Sequence, residues 1–401
     1  MHVGLDRLPH AEGLLSELRG RRVGLLAHPA SVDRDLVHIA RKLRAASVHP
    51  SIVLGPEHGY GGEAQDMIGV ADAVDEAGTP VFSLYGDALS DLAPKPEHLD
   101  KMDVLLIDLA DVGSRYYTFV WTALLALRAA AKAGVQTVVL DRPNPIGGAA
   151  QQIEGRAQSP GYCSFVGWEP VPVRHAMTVG EVLARFASRD GLSLGPGGAL
   201  RILGVEGWER GRLASAWDRP FVMTSPNMPT LETALVYPGG CLIEGTNLSE
   251  GRGTTRPFEL VGAPFLDGVA LSRALAREAL PGFVARPVTF QPTFHKHARE
   301  MCGGVQIHVT DEASFRPYAT YLALVAHAAR LAPAQFAFRT ERYEFVDDTP
   351  AFDLLTGSAR ARLAIVDGAP LADWLFDVAR PEPGWAEVVD EAAELARRAA
   401  V

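Results

Sequence analysis

Short apolar runs, each halted by a turn residue and followed by helical spacing, organise the first half of the chain. Residues 22–27 (RVGLLA) stop at His28-Pro29, and helical spacing resumes from Asp33. Residues 51–54 (SIVL) break at Gly55-Pro56, residues 81–85 form another short run, and residues 104–109 (VLLIDL) break around Asp111-Val112-Gly113. An Ala/Leu-rich stretch from 118 to 132 predicts a long helix ended by Gly134, and residues 135–140 predict a strand that stops at Asp141-Arg142-Pro143. Continuous apolar strands alternating with helices call for a parallel sheet covered on both faces. Right-handed crossovers then place every strand's carboxyl end on one edge.

The pattern changes between about 155 and 264, where Pro, Gly and polar residues dominate. Long irregular segments in a compact protein are usually functional loops. Beyond them the spacing predicts a helix at 269–280, a strand at 304–310, a helix at 317–331 and a terminal helix at 385–399. The expected division is a catalytic unit of residues 1–265 and a smaller α/β unit of residues 266–401. No internal repeat or low-complexity tract interrupts either.

Of the 401 residues, 47% are apolar and 21% charged, the balance of a globular protein with a real core. The net charge of −10 supplies no footprint for nucleic acid and disfavours anionic lipid. An acidic ligand stays open, because one or two arginines in a cleft reverse the local field. Cys163, Cys241 and Cys302 form no C-x-x-C pair, so neither a disulfide framework nor a zinc cluster is expected, and a reducing compartment suits them. The first residues lack the basic and apolar regions of a signal peptide, and no apolar stretch reaches the ~18 residues of a membrane helix. The expectation is a cytoplasmic protein that does not enter a membrane.

Ligands of an open parallel sheet bind beyond the carboxyl ends of its strands. There stand His28; Glu57 and His58; Asp108, Asp111 and Arg115; and Asp141, Arg142 and Asn144. Asp141 could equally cap the next helix, as could Asp33, and Asp108 could be a buried hydrogen-bonded carboxylate. Glu57, pinned between a proline and a His-Gly turn, reads as functional. The glycines after it, Gly59, Gly61 and Gly62, form neither a dinucleotide fingerprint nor a P-loop, so no nucleotide cofactor is expected. No fixed-spacing histidine set marks a metal, and His295-Lys296-His297 reads as a surface pair. Arg115, Arg174 and Arg252 lie in loops that suit a carboxylate ligand, or brace loops as ion pairs. Tyrosines 60, 85, 116, 117 and 237 with Trp168 fit sugar rings, whose faces are apolar and rims polar.

The ordered motifs resemble the bacterial exo-acting β-N-acetylmuramidase family. They are Pro56-Glu57-His58-Gly59, Ser83-Leu84-Tyr85-Gly86, the run from Asp108 to Thr118, Leu140-Asp141-Arg142-Pro143-Asn144-Pro145, Ser164-Phe165-Val166-Gly167, the run from Pro172 to Thr178, Ser225-Pro226-Asn227-Met228-Pro229, and the run from Glu244 to Thr255. The resemblance implies a Rossmann-like parallel-sheet domain, a smaller α/β domain, and a cleft between them. It also implies hydrolysis that frees N-acetylmuramic acid from the non-reducing end of peptidoglycan fragments, without a cofactor. Where the family usually reads Asn-x-Thr this chain has His28-Pro29-Ala30, Ala110 replaces a common Gln and Ala176 a common Gly, and Gly61 stands near a usual Arg.

Glycoside cleavage needs a proton donor and a group that meets the developing positive charge. Glu57 is the expected acid–base residue. Asp111 is the candidate second group, as activator of water or as nucleophile, unless the substrate's own acetamido group attacks; Asp108, Glu244 and Glu250 stand in reserve. The candidate substrate-binding residues are His58, Arg115, Tyr116, Asp141, Arg142, Asn144, Arg174, His175, Asn227, Glu244, Asn247, Glu250 and Arg252. Two rival readings are a non-catalytic muropeptide sensor and a metal-dependent hydrolase of another small polar molecule.

Overall fold

The computed structural model of the protein describes residues 1–65, 68–69 and 71–401. Seven strands form the larger sheet: β1 (Val23–Ala27), β2 (Pro50–Gly55), β3 (Ala73–Val74), β4 (Pro80–Ser83), β5 (Val104–Asp108), β6 (Gln136–Leu140) and β7 (Leu200–Leu203). Their order is β3-β4-β2-β1-β5-β6-β7, parallel throughout except that β3 runs antiparallel to β4. Every residue of β1 and of β5 is buried, as a strand covered on both faces requires. Alternate side chains feed two cores. Leu25, Val53 and Leu106 join Leu14, Leu18, Ile39 and Leu43 on one face. Leu26, Ile52, Leu105 and Ile107 meet Trp121 and Leu124 of the Phe119–Lys132 helix on the other.

From β1 the chain winds outward through β2 to β4; from β5 it winds the opposite way through β6 to β7. The reversal opens a crevice over the carboxyl ends of β1 and β5, the place where such sheets bind ligands. Buried polar groups close its floor. Asp108, the last residue of β5, takes a two-point hydrogen bond from Arg142 just beyond β6, with Nε–Oδ1 at 2.5 Å and Nη2–Oδ2 at 2.8 Å. His28 accepts the Ala110 amide at Nε2 (2.9 Å), and burial, then Arg142, holds its pKa well below the usual value, so it is a neutral acceptor.

The smaller sheet is antiparallel, ordered β8-β10-β9, from β8 (Leu260–Ala263), β9 (Phe283–Phe290) and β10 (Cys302–Val309). Helices Gly268–Arg277 and Pro317–Leu331 pack near it. Its first strand comes from residues before 266. The Trp385–Arg398 helix returns to pack on the Val179–Arg189 helix beside the large sheet.

The expected strands and helices of the first half are found with ends shifted by a residue or two. Asp33 does not start a helix: its Oδ1 accepts the amides of Asp35 and Val37 in a turn, and the helix Ile39–Ala45 is capped by His38. β3, β7, β8 and β9 escaped the pattern. Two, four and four residues are too few for a periodic signal in β3, β7 and β8, while β9 has only one buried residue and carries Pro287.

A charge buried in this way depends on its partner. Replacing Asp108 by Asn leaves the Arg142 guanidinium without its counter-charge, and should cost about 3–5 kcal/mol of unfolding free energy. Urea unfolding of the variant would measure this. A loss under 1 kcal/mol would show that the pair is not what holds the sheet's switch point.

Candidate active site

The Pro56–Gly59 segment after β2 closes as a tight turn, the Gly59 amide donating to the Pro56 carbonyl at 2.9 Å, with His58 at φ 71°. That conformation is costly for a non-glycine residue. It is fixed by the His58 ring, whose Nδ1 donates to the Ala64 carbonyl at 2.8 Å. The turn buries Glu57 to 5% exposure. Thr118 stands at the N-cap of the Phe119–Lys132 helix, yet its hydroxyl caps nothing and donates to Glu57 Oε2 at 2.7 Å. The helix's positive end lies on the same side, where a carboxylate is welcome.

Glu57 and Thr118 open onto a pocket lined also by His58, Tyr116, Tyr117, Val166, Ser225, Asn227, Met228, Tyr237, Glu244, Arg252, Phe258, Tyr343 and Glu344. One wall is aromatic: Tyr237 meets Tyr116, Tyr117 and Phe258 edge-on with centroids 6.3, 5.9 and 4.9 Å apart. Tyr117 donates to Thr224 Oγ1 at 2.6 Å. Burial pushes the pKa values of Tyr116, Tyr117, Tyr237 and Tyr343 upward, so all four remain neutral hydroxyls.

The opposite wall is ionic. Arg252 Nη2 meets Glu244 Oε1 at 2.7 Å, and its Nε lies 3.2 Å from Glu250 Oε1. Tyr343 donates to the other Glu244 oxygen at 2.6 Å. Behind them Glu250, with no exposure, is held by Lys296 at 2.8 Å and His295 at 3.0 Å, and these cations drive its pKa down despite burial. Lys296 also donates to the carbonyls of Ile243 and Thr246, and His297 bonds the Asn247 carbonyl. The His295-Lys296-His297 segment is therefore a clamp on the Glu244–Gly253 loop, not an idle surface pair.

Two family models match the chain, "Exo-beta-N-acetylmuramidase NamZ, N-terminal" over residues 23–232 and its C-terminal counterpart over residues 235–390. The chain belongs to the exo-β-N-acetylmuramidase NamZ family. It is 40% identical over 370 residues to the peptidoglycan β-N-acetylmuramidase NamZ of Bacillus subtilis (strain 168), covering 92% of this chain and 85% of that one. A crystal structure of a DUF1343 family protein from Bacteroides fragilis NCTC 9343 superimposes with a TM-score of 0.84 at 29% identity, covering 100% of this chain and 98% of the other. A second protein of that description from the same organism has a TM-score of 0.72 at 22% identity, with the same coverage, and supports the fold alone.

Of the candidates read from this NamZ-family sequence, the pocket brings together Glu57, His58, Tyr116, Asn227, Glu244 and Arg252. Glu250 stands behind Arg252. Asp111 lines a neighbouring pocket with Arg142, Arg219, Trp217, Phe221 and Thr224, at the ends of β1, β5 and β6. The remaining candidates are structural. Arg115 is fully enclosed, donating to the carbonyls of Arg156, Val171 and Leu355. Arg174 donates to the Ile146 carbonyl, and burial brings its pKa down to about 10. His175 accepts the Met177 amide at Nδ1, with its pKa lowered by burial to about 4. Asp141 takes the amides of Arg142 and Gly180 and the Thr178 hydroxyl, latching β6 to the Val179–Arg189 helix. Asn144 bridges the Met177 carbonyl and Ile146 amide beneath Gly113, where any side chain would strike it. Asn247 ties its loop to Gln335 and Ala337. Tyr343 and Glu344 line the pocket without having been singled out. Their only trace in the sequence is a carboxylate set between two aromatic residues in a polar stretch. Among the described residues, no group of three or more His, Cys, Asp or Glu is disposed to hold a metal ion.

Asp111 gives this region a pH signature. Burial raises its pKa to about 7, with the Gly113 and Val112 amides pulling the other way, and its enclosed Oδ1 meets no hydrogen-bond donor among the described residues. A carboxyl whose folded pKa lies above its unfolded value favours the folded state while protonated, and that contribution fades as pH rises from about 4 through about 7. Asp111→Asn should therefore lose less Tm than the parent protein between pH 5 and pH 8. Equal losses in the two melts would show that Asp111 is ionised throughout.

Proposed function

We propose that the Glu57 pocket is where this chain breaks a glycosidic bond. The enzyme is an exo-acting glycosidase that releases β-linked N-acetylmuramic acid from the non-reducing end of peptidoglycan fragments, a reading supported by family membership and by the identity to the Bacillus subtilis protein. The observation that carries the assignment of the site is a buried glutamate at a strand's carboxyl end, held by a threonine hydroxyl and facing an aromatic wall. Glu57 in its acid form donates its proton to the glycosidic oxygen, which leaves with the electrons of the C1–O bond. Tyr116, Tyr117, Tyr237 and Phe258 offer hydrophobic edges and faces to the sugar ring. Arg252 is the guanidinium on this wall, and a carboxylate on the sugar's lactyl group is its natural partner.

The pocket takes Tyr343 and Glu344 from residues 266–401 and its other walls from residues 1–265, which supports the reading of a cleft between two units. The ligand is a peptidoglycan-derived saccharide. No described helix is long and apolar enough to cross a membrane. Three unpaired cysteines, two of them buried, support a cytoplasmic setting.

Glu57→Gln keeps the shape of the side chain and removes the proton. It should lower kcat on a chromogenic β-N-acetylmuramide by two to four orders of magnitude, with Tm unchanged. Retention of more than a tenth of the parent rate would remove Glu57 from the mechanism.

Arg252→Lys keeps the charge that Glu250 requires and loses the planar fork. The expected result is a fall in kcat/KM for the N-acetylmuramide by on the order of tenfold or more, with the matched β-N-acetylglucosaminide little affected. Parallel loss on both glycosides would mean that Arg252 only braces the loop.

A further inference from the structure

The segment that carries Glu344 is folded against its own preferences. Tyr343 and Val346 exchange both backbone hydrogen bonds at 3.0 Å, enclosing a two-residue turn in which Glu344 has φ 45° and Phe345 has φ 68°. Two consecutive left-handed residues are what an Asn-Gly pair adopts readily; a glutamate and a phenylalanine do so only under constraint. The constraints are visible. Tyr343 is 2% exposed and hydrogen-bonded to Glu244. Phe345 packs against Tyr85 and Phe165 with centroids 5.8 and 6.2 Å away. Tyr85 donates its hydroxyl to Glu344 Oε2 at 3.2 Å. The result of this strained turn is to bury a carboxylate, 5% exposed, in the wall of the pocket that holds Glu57. Two other lining residues, His58 at φ 71° and Phe258 at φ 64°, are left-handed as well. Strain of this kind gathers where geometry serves function.

Among the described residues, four further carboxylates near the site stand in positions of their own. Asp108 is locked to Arg142, Glu250 lies buried among Lys296, His295 and Arg252, and Glu244 is held by Arg252 and Tyr343. Asp111 lines the neighbouring pocket. We propose that Glu344 is the second carboxylate of the hydrolysis, the negative charge that meets the sugar's anomeric centre. This rests on the reading of the Glu57 pocket as the hydrolytic site. As Glu57 gives its proton to the glycosidic oxygen and the bond electrons depart with it, positive charge builds on C1 and the ring oxygen. Glu344 offsets that charge without itself forming a bond. Water then adds its oxygen to C1, and its proton restores Glu57. The charge Glu344 opposes exists mainly in the transition state, so its removal acts on kcat more than on KM.

The test compares Glu344→Gln, Glu57→Gln and Tyr85→Phe with the parent enzyme on a chromogenic β-N-acetylmuramide, with a thermal melt of each. Glu344→Gln keeps an oxygen for Tyr85 to bond, and should lose on the order of a hundredfold or more in kcat with KM and Tm little changed. Tyr85→Phe removes a hydrogen bond to the ionised carboxylate, so the acid limb of the kcat/KM profile should move to higher pH. That shift is readable even if the Gln variant fails to fold. Activity of Glu344→Gln within tenfold of the parent while Glu57→Gln is inactive would overturn the role of Glu344 and leave the pocket standing. Full activity in both would overturn the pocket. An unmoved acid limb in folded Tyr85→Phe, or a loss confined to KM, would likewise reject Glu344 as the charge at C1.

Discussion

The ionised Glu250 carboxylate, sealed from water, is the constraint around which the pocket is arranged. An unpaired charge there would be intolerable, so Lys296, His295 and Arg252 converge on it. Their convergence fixes more than the charge. Lys296 and His297 also take up carbonyls of the loop that Glu250 sits on, which sets the loop's path. Arg252, held by Glu250 on one side, orients Glu244 on the other; Glu244 in turn receives the hydroxyl of Tyr343. Tyr343 begins the turn that presents Glu344. One side of the pocket is thus a relay of polar contacts that starts at a group with no exposed surface.

The facing side depends on sheet geometry rather than charge. β1, β2 and β5 are buried on both faces, and their carboxyl ends are pinned by Asp108–Arg142 and by His28 to the Ala110 amide. Against that rigid edge the Glu57 turn and the Thr118 helix start are held in register. A hydrogen-bond donor and a carboxylate from segments 61 residues apart reach 2.7 Å.

Much of the larger sheet was legible because its strands are buried on both faces and read as unbroken apolar runs. Glu57 was legible for the same reason: a strand end followed by Pro and His-Gly leaves a polar residue exposed to few explanations. What the pattern could not distinguish was a polar residue that serves the pocket from one that serves the scaffold beneath it. Arg115, Arg174 and Asp141 occupy the same kinds of loops as Arg252 and Glu57, yet they bond to backbone carbonyls and amides of other segments. Those partners lie far off in sequence and leave no local mark. Glu344 was hidden for the opposite reason: its position depends on a turn its residues do not favour, imposed by contacts with Tyr85, Phe165 and Glu244.

The outer edge of β7 is closed at Leu200 by Ser193 and Gly195, and at Ile202 by residues 399–401. The Ile202 amide donates to the Ala399 carbonyl, and the Val401 amide to the Ile202 carbonyl, while the terminal helix lies on the Val179–Arg189 helix. An uncovered strand edge is a template for pairing with other chains. During synthesis this edge is laid down by residue 203 and waits for residues 399–401 to leave the ribosome. The larger sheet therefore cannot finish folding while the smaller one is still being made. A nascent chain stalled in between leaves the Ile202 amide and carbonyl open to pairing with another strand.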